Sequence, residues 1–160
     1  MIGSLTNEAA KEVLHSNILG RLGCGDGKKI YVVPVNYVFD GKHIIAHSVA
    51  GMKIHMMRKN PKVCLQADEI GNRSNWTSVV VTGTYLELNV PQYHTSQREH
   101  ARERLAAECS EWWRIPLSGA RDIALVSSME TVFFRIDIKS ISGLRAIPEA
   151  EEPVHQGTGH

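Results

Sequence analysis

Two Asp-Gly dipeptides, Asp26-Gly27 and Asp40-Gly41, constrain this chain more than any other feature. Each joins two strand-like runs. Asp-Gly favours a two-residue hairpin turn, because glycine readily supplies the positive φ that such a turn needs. Between the two turns, residues 30–39 place Tyr31, Val33, Val35, Tyr37 and Phe39 on one face of a strand, since side chains alternate along extended backbone. "KHIIAHS" (42–48) returns as the next strand. The natural reading is an antiparallel meander.

The rest of the chain extends that reading. "TNEAAKEVLHSN" (6–17) has Thr6 or Asn7 as a cap and an apolar stripe of Ala10, Val13 and Leu14, which predicts a short helix. A second helix is expected over 50–61 and stops at Asn60-Pro61, because the residue before proline disfavours the α region. "KVCLQAD" (62–68) and "WTSVVVTGTYLEL" (76–88) read as strands, with "GNRSN" as a loop and Gly83 marking a bulge or bend. A third helix is expected over 95–113, with Ser96 and Glu99 as a capping box and Ala101, Leu105, Cys109 and Trp112 on one face. "IALVSS" and "TVFFRIDI" are the last strand-like pieces. Six or seven antiparallel strands with three short helices point to a closed or half-closed β-barrel with helices packed outside. The domain spans 1–147, and the polar, Pro/Gly-rich residues 148–160 read as a disordered tail.

Composition narrows the function. A net charge of +1 gives no reason to expect a nucleic-acid or membrane partner. The N-terminus lacks the basic and apolar regions of a signal peptide. The three cysteines, Cys24, Cys64 and Cys109, form no CxxC pair, so neither a zinc site nor a disulfide framework is expected. A cytoplasmic location is the simplest expectation. His43 and His47 share a strand face, but no carboxylate or cysteine stands at ligand spacing beside them, and no metal site is expected. His43 follows a turn and is expected to be solvated. The glycine run 20–29 fails the dinucleotide and P-loop templates and reads as a hairpin turn.

"AHSVAGMKIH" (46–55) is chemically more suggestive. Lys53 stands where a helix begins, at its positive end. His47, Ser48 and the first amides of that helix could form an anion cradle with it. Equally, Lys53 could snorkel into solvent. "VVPVN" (32–36) places a proline inside a run that otherwise reads as a central strand. Proline cannot donate to a ladder, so it marks an edge, a bulge or a break in pairing. "WTS" (76–78) adds an aromatic and two hydroxyls. A flat aromatic ligand with a phosphate tail would suit the set, although Trp76 could equally serve core or interface packing.

In order, "VPV", a strand ending in "HS", "GxK" opening a helix, "NP" closing it and "WxSVVVxG" later resemble the FMN-binding split-barrel superfamily of pyridoxamine 5′-phosphate oxidase. The likeness covers about residues 18–88, with an echo at 133–143. Within that superfamily it is nearest to the nitroimidazole-resistance (Nim-type) flavoproteins. The resemblance implies a mainly β, six-stranded, antiparallel Greek-key split barrel with a few peripheral α-helices. It also implies a homodimer holding FMN at the subunit interface. Carried over by position, Val33, Pro34, Val35 and Asn36 would run along the isoalloxazine edge. His47 and Ser48 would lie near the ribityl chain and phosphate, and Met52 and Lys53 at the phosphate. Trp76 and Ser78 would close the site. His47 would be the catalytic, proton-supplying residue. The oxidase typically has Arg-Lys where this chain has Met52-Lys53, which removes one phosphate-binding cation. The implied activity is an FMN-dependent reductase acting on a small electron-poor acceptor such as a 5-nitroimidazole. The alternatives are a non-catalytic flavin- or haem-binding protein and a pyridoxamine 5′-phosphate oxidase-like oxidase.

Overall fold

The computed structural model describes residues 1–89, 95–108 and 131–148. Its elements, in chain order, are β1 (Ile2–Ser4), α1 (Asn7–Ser16), β2 (Leu19–Gly25), β3 (Ile30–Phe39), β4 (His43–Val49), α2 (Met52–Lys59), β5 (Lys62–Asn72), β6 (Asn75–Glu87), α3 (Thr95–Glu108) and β7 (Thr131–Ala146). The sheet order is β1-β7-β4-β3-β2-β5-β6, and β6 also pairs with β7. Six strands thus close into an antiparallel barrel, with β1 added beside the far end of β7. The expected fold class is the one observed.

Both Asp-Gly turns form as read. Gly27 and Gly41 take φ of 89° and 93°. Asp26 Oδ1 accepts from the Lys28 and Lys29 amides, and Asp40 Oδ1 from those of Lys42 and His43. Thr6 caps α1, its Oγ1 accepting from the Ala9 amide at 3.2 Å. Ala10, Val13 and Leu14 are the buried residues of α1, as the stripe predicts. They join a core with Tyr37, Phe39, Leu65, Val79, Phe134 and the α2 residues Ile54, Met56 and Met57. The Tyr37 hydroxyl donates to the Leu14 carbonyl at 3.1 Å and so ties α1 to β3. A second, outer cluster of Val38, Ile45, Leu88, Ala101 and Leu105 seats α3 on the barrel wall.

Gly83 is the expected bulge: the β6–β7 register shifts between Thr82 and Gly83. A Cβ there would lie 2.5 Å from the Asp137 carbonyl oxygen and 2.7 Å from Ile136 Cγ2. The two strands can approach this closely only because the side chain is missing.

Several elements differ from the sequence reading. β1 has no sequence signal, because all three of its residues are exposed and carry no alternation. "GNRSN" is a tight hairpin rather than a loop, with the Ser74 amide bonded to Asn72 Oδ1 and strands running into it from both sides. Ser96 lies inside the first turn of α3 and is not its cap. β7 continues from the predicted "TVFFRIDI" through Ala146, because its polar second half pairs with β6 along almost its whole length. The expected strand "IALVSS", the end of the third helix with Cys109 and Trp112, and the tail from residue 149 lie outside the described residues. No described helix is long and apolar enough to cross a membrane.

Candidate functional site

The position of the proline in "VVPVN" follows from the topology. β3 pairs with β2 over Ile30–Asn36 but with β4 only at Tyr37–Phe39. On its other edge β4 pairs with β7 along its whole length, from His43 opposite Asp137 to Val49 opposite Thr131, so beyond Ala46 it stays with β7 and leaves β3. The barrel wall therefore splits between β3 and the end of β4. The Tyr37 amide donates to the Ile18 carbonyl on the β2 side. By antiparallel alternation, the backbone groups of Val35, Val33 and Tyr31 also face β2. Those of Asn36, Pro34 and Val32 face the split. Pro34 thus sits where no ladder bond is lost.

This geometry divides the candidate residues. Val33 and Val35 direct their side chains toward the core and their backbone toward β2. The groups offered to the split are the Val32 and Asn36 amides and the carbonyls of Val32, Pro34 and Asn36. Ser48 and His47, expected together at one end of a ligand, project to opposite faces of β4. Ser48 shares the inward face of Ile44 and Ala46, and its hydroxyl donates to the Val49 carbonyl at 3.0 Å. His47 shares the outer face with Ile45 and stacks on Phe133, with ring centroids 5.8 Å apart.

Lys53 is the second residue of α2, whose N-cap, Gly51, provides no side-chain cap. It is half-buried, and burial pushes its amine below the ordinary lysine range, partly offset by the nearby Cys24 thiol. Among the described residues no carboxylate lies within ion-pair distance of it. Met52 beside it is exposed. A half-buried ammonium without a carboxylate, next to uncapped helix amides, suits an anion.

Trp76 and Ser78 lie elsewhere, along a groove of about 580 Å³ at the β5–β6 hairpin, with Asp68, Ile70 and Thr77. Ser78 shares the outer barrel face with Pro34, through the registers Pro34–Arg21, Arg21–Gln66 and Asp68–Ser78. Three strand spacings of about 4.8 Å separate β3 from β6 on this face. Composition and motif reading missed the polar chain in between. Arg21 Nη1 donates to Asp68 Oδ1 at 3.0 Å, and Gln66 Nε2 donates to Asp68 Oδ2 at 2.8 Å and to Ser78 Oγ at 3.0 Å. Only the period-two alternation of "KVCLQAD", which puts Gln66 and Asp68 on one face, signalled it.

His43 is not solvated as expected. Its Nδ1 lies 3.2 Å from Asp40 Oδ2 and its Nε2 3.7 Å from Asp137 Oδ1. Arg135 continues the chain to Asp137 at 2.7 Å and to Gln97 of α3 at 3.3 Å. These contacts help fasten α3 to the barrel.

Burial holds the His47 imidazole below its ordinary pKa, which favours the neutral ring. The folded state then binds fewer protons at His47 than the unfolded state does. Its contribution is present above the unfolded value of about 6.5 and is lost as pH falls through the lower folded value. Stability is expected to fall as the pH drops below about 6.5, and His47→Leu is expected to flatten that slope. Urea melts of both proteins across this window check it; parallel slopes would assign the dependence to another group.

The sequence pattern describing pyridoxamine 5′-phosphate oxidase matches residues 6–145. The chain belongs to the pyridoxamine 5′-phosphate oxidase family. One relative, an uncharacterised protein of Rhizobium meliloti, is 32% identical over 144 residues, covering 89% of this chain and 93% of its own. The crystal structure of an FAD-binding protein from Mesorhizobium loti is 37% identical, with a TM-score of 0.74, over 92% of this chain and 99% of that one. A candidate 5-nitroimidazole antibiotic resistance protein from Bacteroides thetaiotaomicron shares the fold at 14% identity, with a TM-score of 0.64, over 92% and 93% of the two chains. The pyridoxamine 5′-phosphate oxidase family pattern thus reaches well past the motifs at 18–88, from the cap of α1 nearly to the end of β7.

Proposed function

We propose that this chain binds a flavin, FMN in the first instance, in the split between β3 and β4, and works as a reductase of small electron-poor acceptors such as nitroaromatics. The observation that carries this reading is the split itself, with backbone donors and acceptors of Val32, Pro34 and Asn36 along one wall and Lys53 at the helix end. These groups fit the ligand. A planar ring with polar edges can use strand backbone that has no strand partner, and a phosphate can take the Lys53 ammonium and the α2 amides. The FAD-binding relative at 37% identity supports flavin as the cofactor class.

A bound flavin would supply the electron transfer, and the protein would bind, orient and handle protons. Lys53 would neutralise phosphate charge. His47 is the proposed proton-handling residue, because a neutral imidazole can take up and return a proton near pH 7. Its place on the outer face of β4 associates that role with a substrate lying toward Phe133, away from the phosphate end.

Ile30 (90% exposed) and Val32 (62%) stand exposed on β3, which borders the split, and Leu19 (48%) on the adjoining β2. So much exposed apolar surface beside a site marks an interaction face, and we assign it to a second copy of the chain. Purified protein is expected to show the two visible flavin absorption bands, or to acquire them with added FMN, and to sediment as a dimer. A colourless protein that takes up no FMN would refute the reading, and a haem Soret band would replace it with another.

A further inference from the structure

We propose that the cavity between α3 and the barrel wall is a second ligand site, for a small molecule of the phenol type: an apolar body with a polar group that donates a hydrogen. The cavity holds about 300 Å³, and Asp40, His43, Ile45, Leu88, Ala101 and Arg135 are among its lining residues. That volume is at the lower end of what ligand pockets ordinarily have, about 300–1,000 Å³. Ile45, Leu88 and Ala101 are buried and supply its apolar surface. The cavity is separate from the split. It lies at the start of β4, beside the stretch Tyr37–Phe39 where β3 and β4 remain paired.

Its polar groups differ in what they have left to offer. Arg135 is satisfied within the protein: Nε and Nη2 donate to Asp137 at 2.7 and 3.4 Å, and Nη1 to Gln97 Oε1 at 3.3 Å. Asp40 is engaged on both oxygens, Oδ1 by the Lys42 and His43 amides and Oδ2 by His43 Nδ1 at 3.2 Å. Burial raises the Asp40 carboxyl, but these hydrogen bonds outweigh it and hold the carboxyl below its ordinary range. An ionised carboxylate only accepts, so Nδ1 carries the hydrogen of that contact. In the neutral ring, Nε2 is then a bare lone pair. Across from it stands Asp137 Oδ1 at 3.7 Å. This is too far for a hydrogen bond, and Oδ1 is itself an acceptor. Among the described residues no donor fills Nε2. A ligand that gives a hydrogen satisfies it. A ligand that brings only lone pairs meets two acceptors and leaves both unsatisfied. Asp40, by fixing the tautomer, sets that preference before any ligand arrives.

The test titrates phenol, anisole and benzoate into the full-length protein, followed by NMR with the ring nitrogens of His43 labelled and resolved. Phenol is expected to bind saturably, in roughly the millimolar range for a ligand of so few atoms. Anisole has the same ring but no hydrogen to give, and is expected to bind about fivefold more weakly. Benzoate is expected to bind more weakly still. The His43 signals should show Nδ1 protonated and Nε2 bare, with Nε2 shifting as phenol binds. His43→Phe keeps a ring in place and removes the acceptor, so phenol and anisole should then bind alike. If that variant does not fold, the wild-type affinities and the Nε2 shift decide alone. Equal binding of phenol and anisole to the wild-type protein would reduce the site to an apolar crevice and overturn the proposal. So would tighter binding of benzoate, a ring protonated at Nε2, or no saturable binding of phenol.

Discussion

Lys53→Ala is expected to weaken FMN binding by about ten- to a hundredfold while leaving riboflavin binding nearly unchanged. The size follows from removing a charge-assisted hydrogen bond to an ionised group, about 1.5–3 kcal/mol. The selectivity follows from placement. Lys53 adjoins the uncapped start of α2, and its neighbour Met52 carries no charge. Burial already disfavours its charged form, and an arriving phosphate would offset that cost by pairing with it. Lys53→Arg should keep most of the affinity. Parallel titrations of the two ligands check this: an equal loss for FMN and riboflavin would mean that Lys53 acts through packing, and the phosphate assignment would fall.

Gly83→Ala is expected to lower stability by about 2–3 kcal/mol, or the melting temperature by roughly 5–10 °C. A new methyl would meet the Asp137 carbonyl oxygen, which is backbone and cannot rotate aside. Either β6 and β7 separate at the bulge or the register shift between Thr82 and Gly83 is lost. Gly27→Ala makes an informative comparison, since that glycine has open space around it but a φ of 89°. It should lose less, and by strain in the turn rather than by collision. Thermal melts of the three proteins decide the matter, and an unchanged melting point for Gly83→Ala would show that the strands yield freely there.

Much of the barrel could be read from residue order. Strand 30–39, with one face all apolar, became β3 with that face inward, and Gly83 announced its bulge by interrupting a β-branched run. What escaped the sequence had no periodic signal. β1 is three exposed residues that are strand only because β7 lies beside them. The second half of β7, "KSISGLRA", is too polar to stand as a strand alone, and its pairing with β6 makes it one. The site was legible as a list of residues but less so as an arrangement. Pro34 correctly marked a break in pairing. Which neighbours share its orientation became clear only when the Tyr37–Ile18 bond fixed the ladder phase. Period two already separates His47 from Ser48, yet adjacency in sequence suggested a joint role. The polar chain behind Ser78 draws one residue from β2, two from β5 and one from β6, and no linear motif can display that.

The position of β7 has a consequence for how the protein is made. This strand pairs with β1, β4 and β6, and in one register Ile2 faces Ala146. It is also the last described element to leave the ribosome. Until it does, the nascent chain holds two sheet edges that cannot pair with each other and an N-terminal strand with nothing to join. Contacts this distant in sequence form slowly, because the intervening chain must be ordered first. Barrel closure is therefore a late event in biogenesis, and the interval before it is when the chain is most exposed to wrong partners.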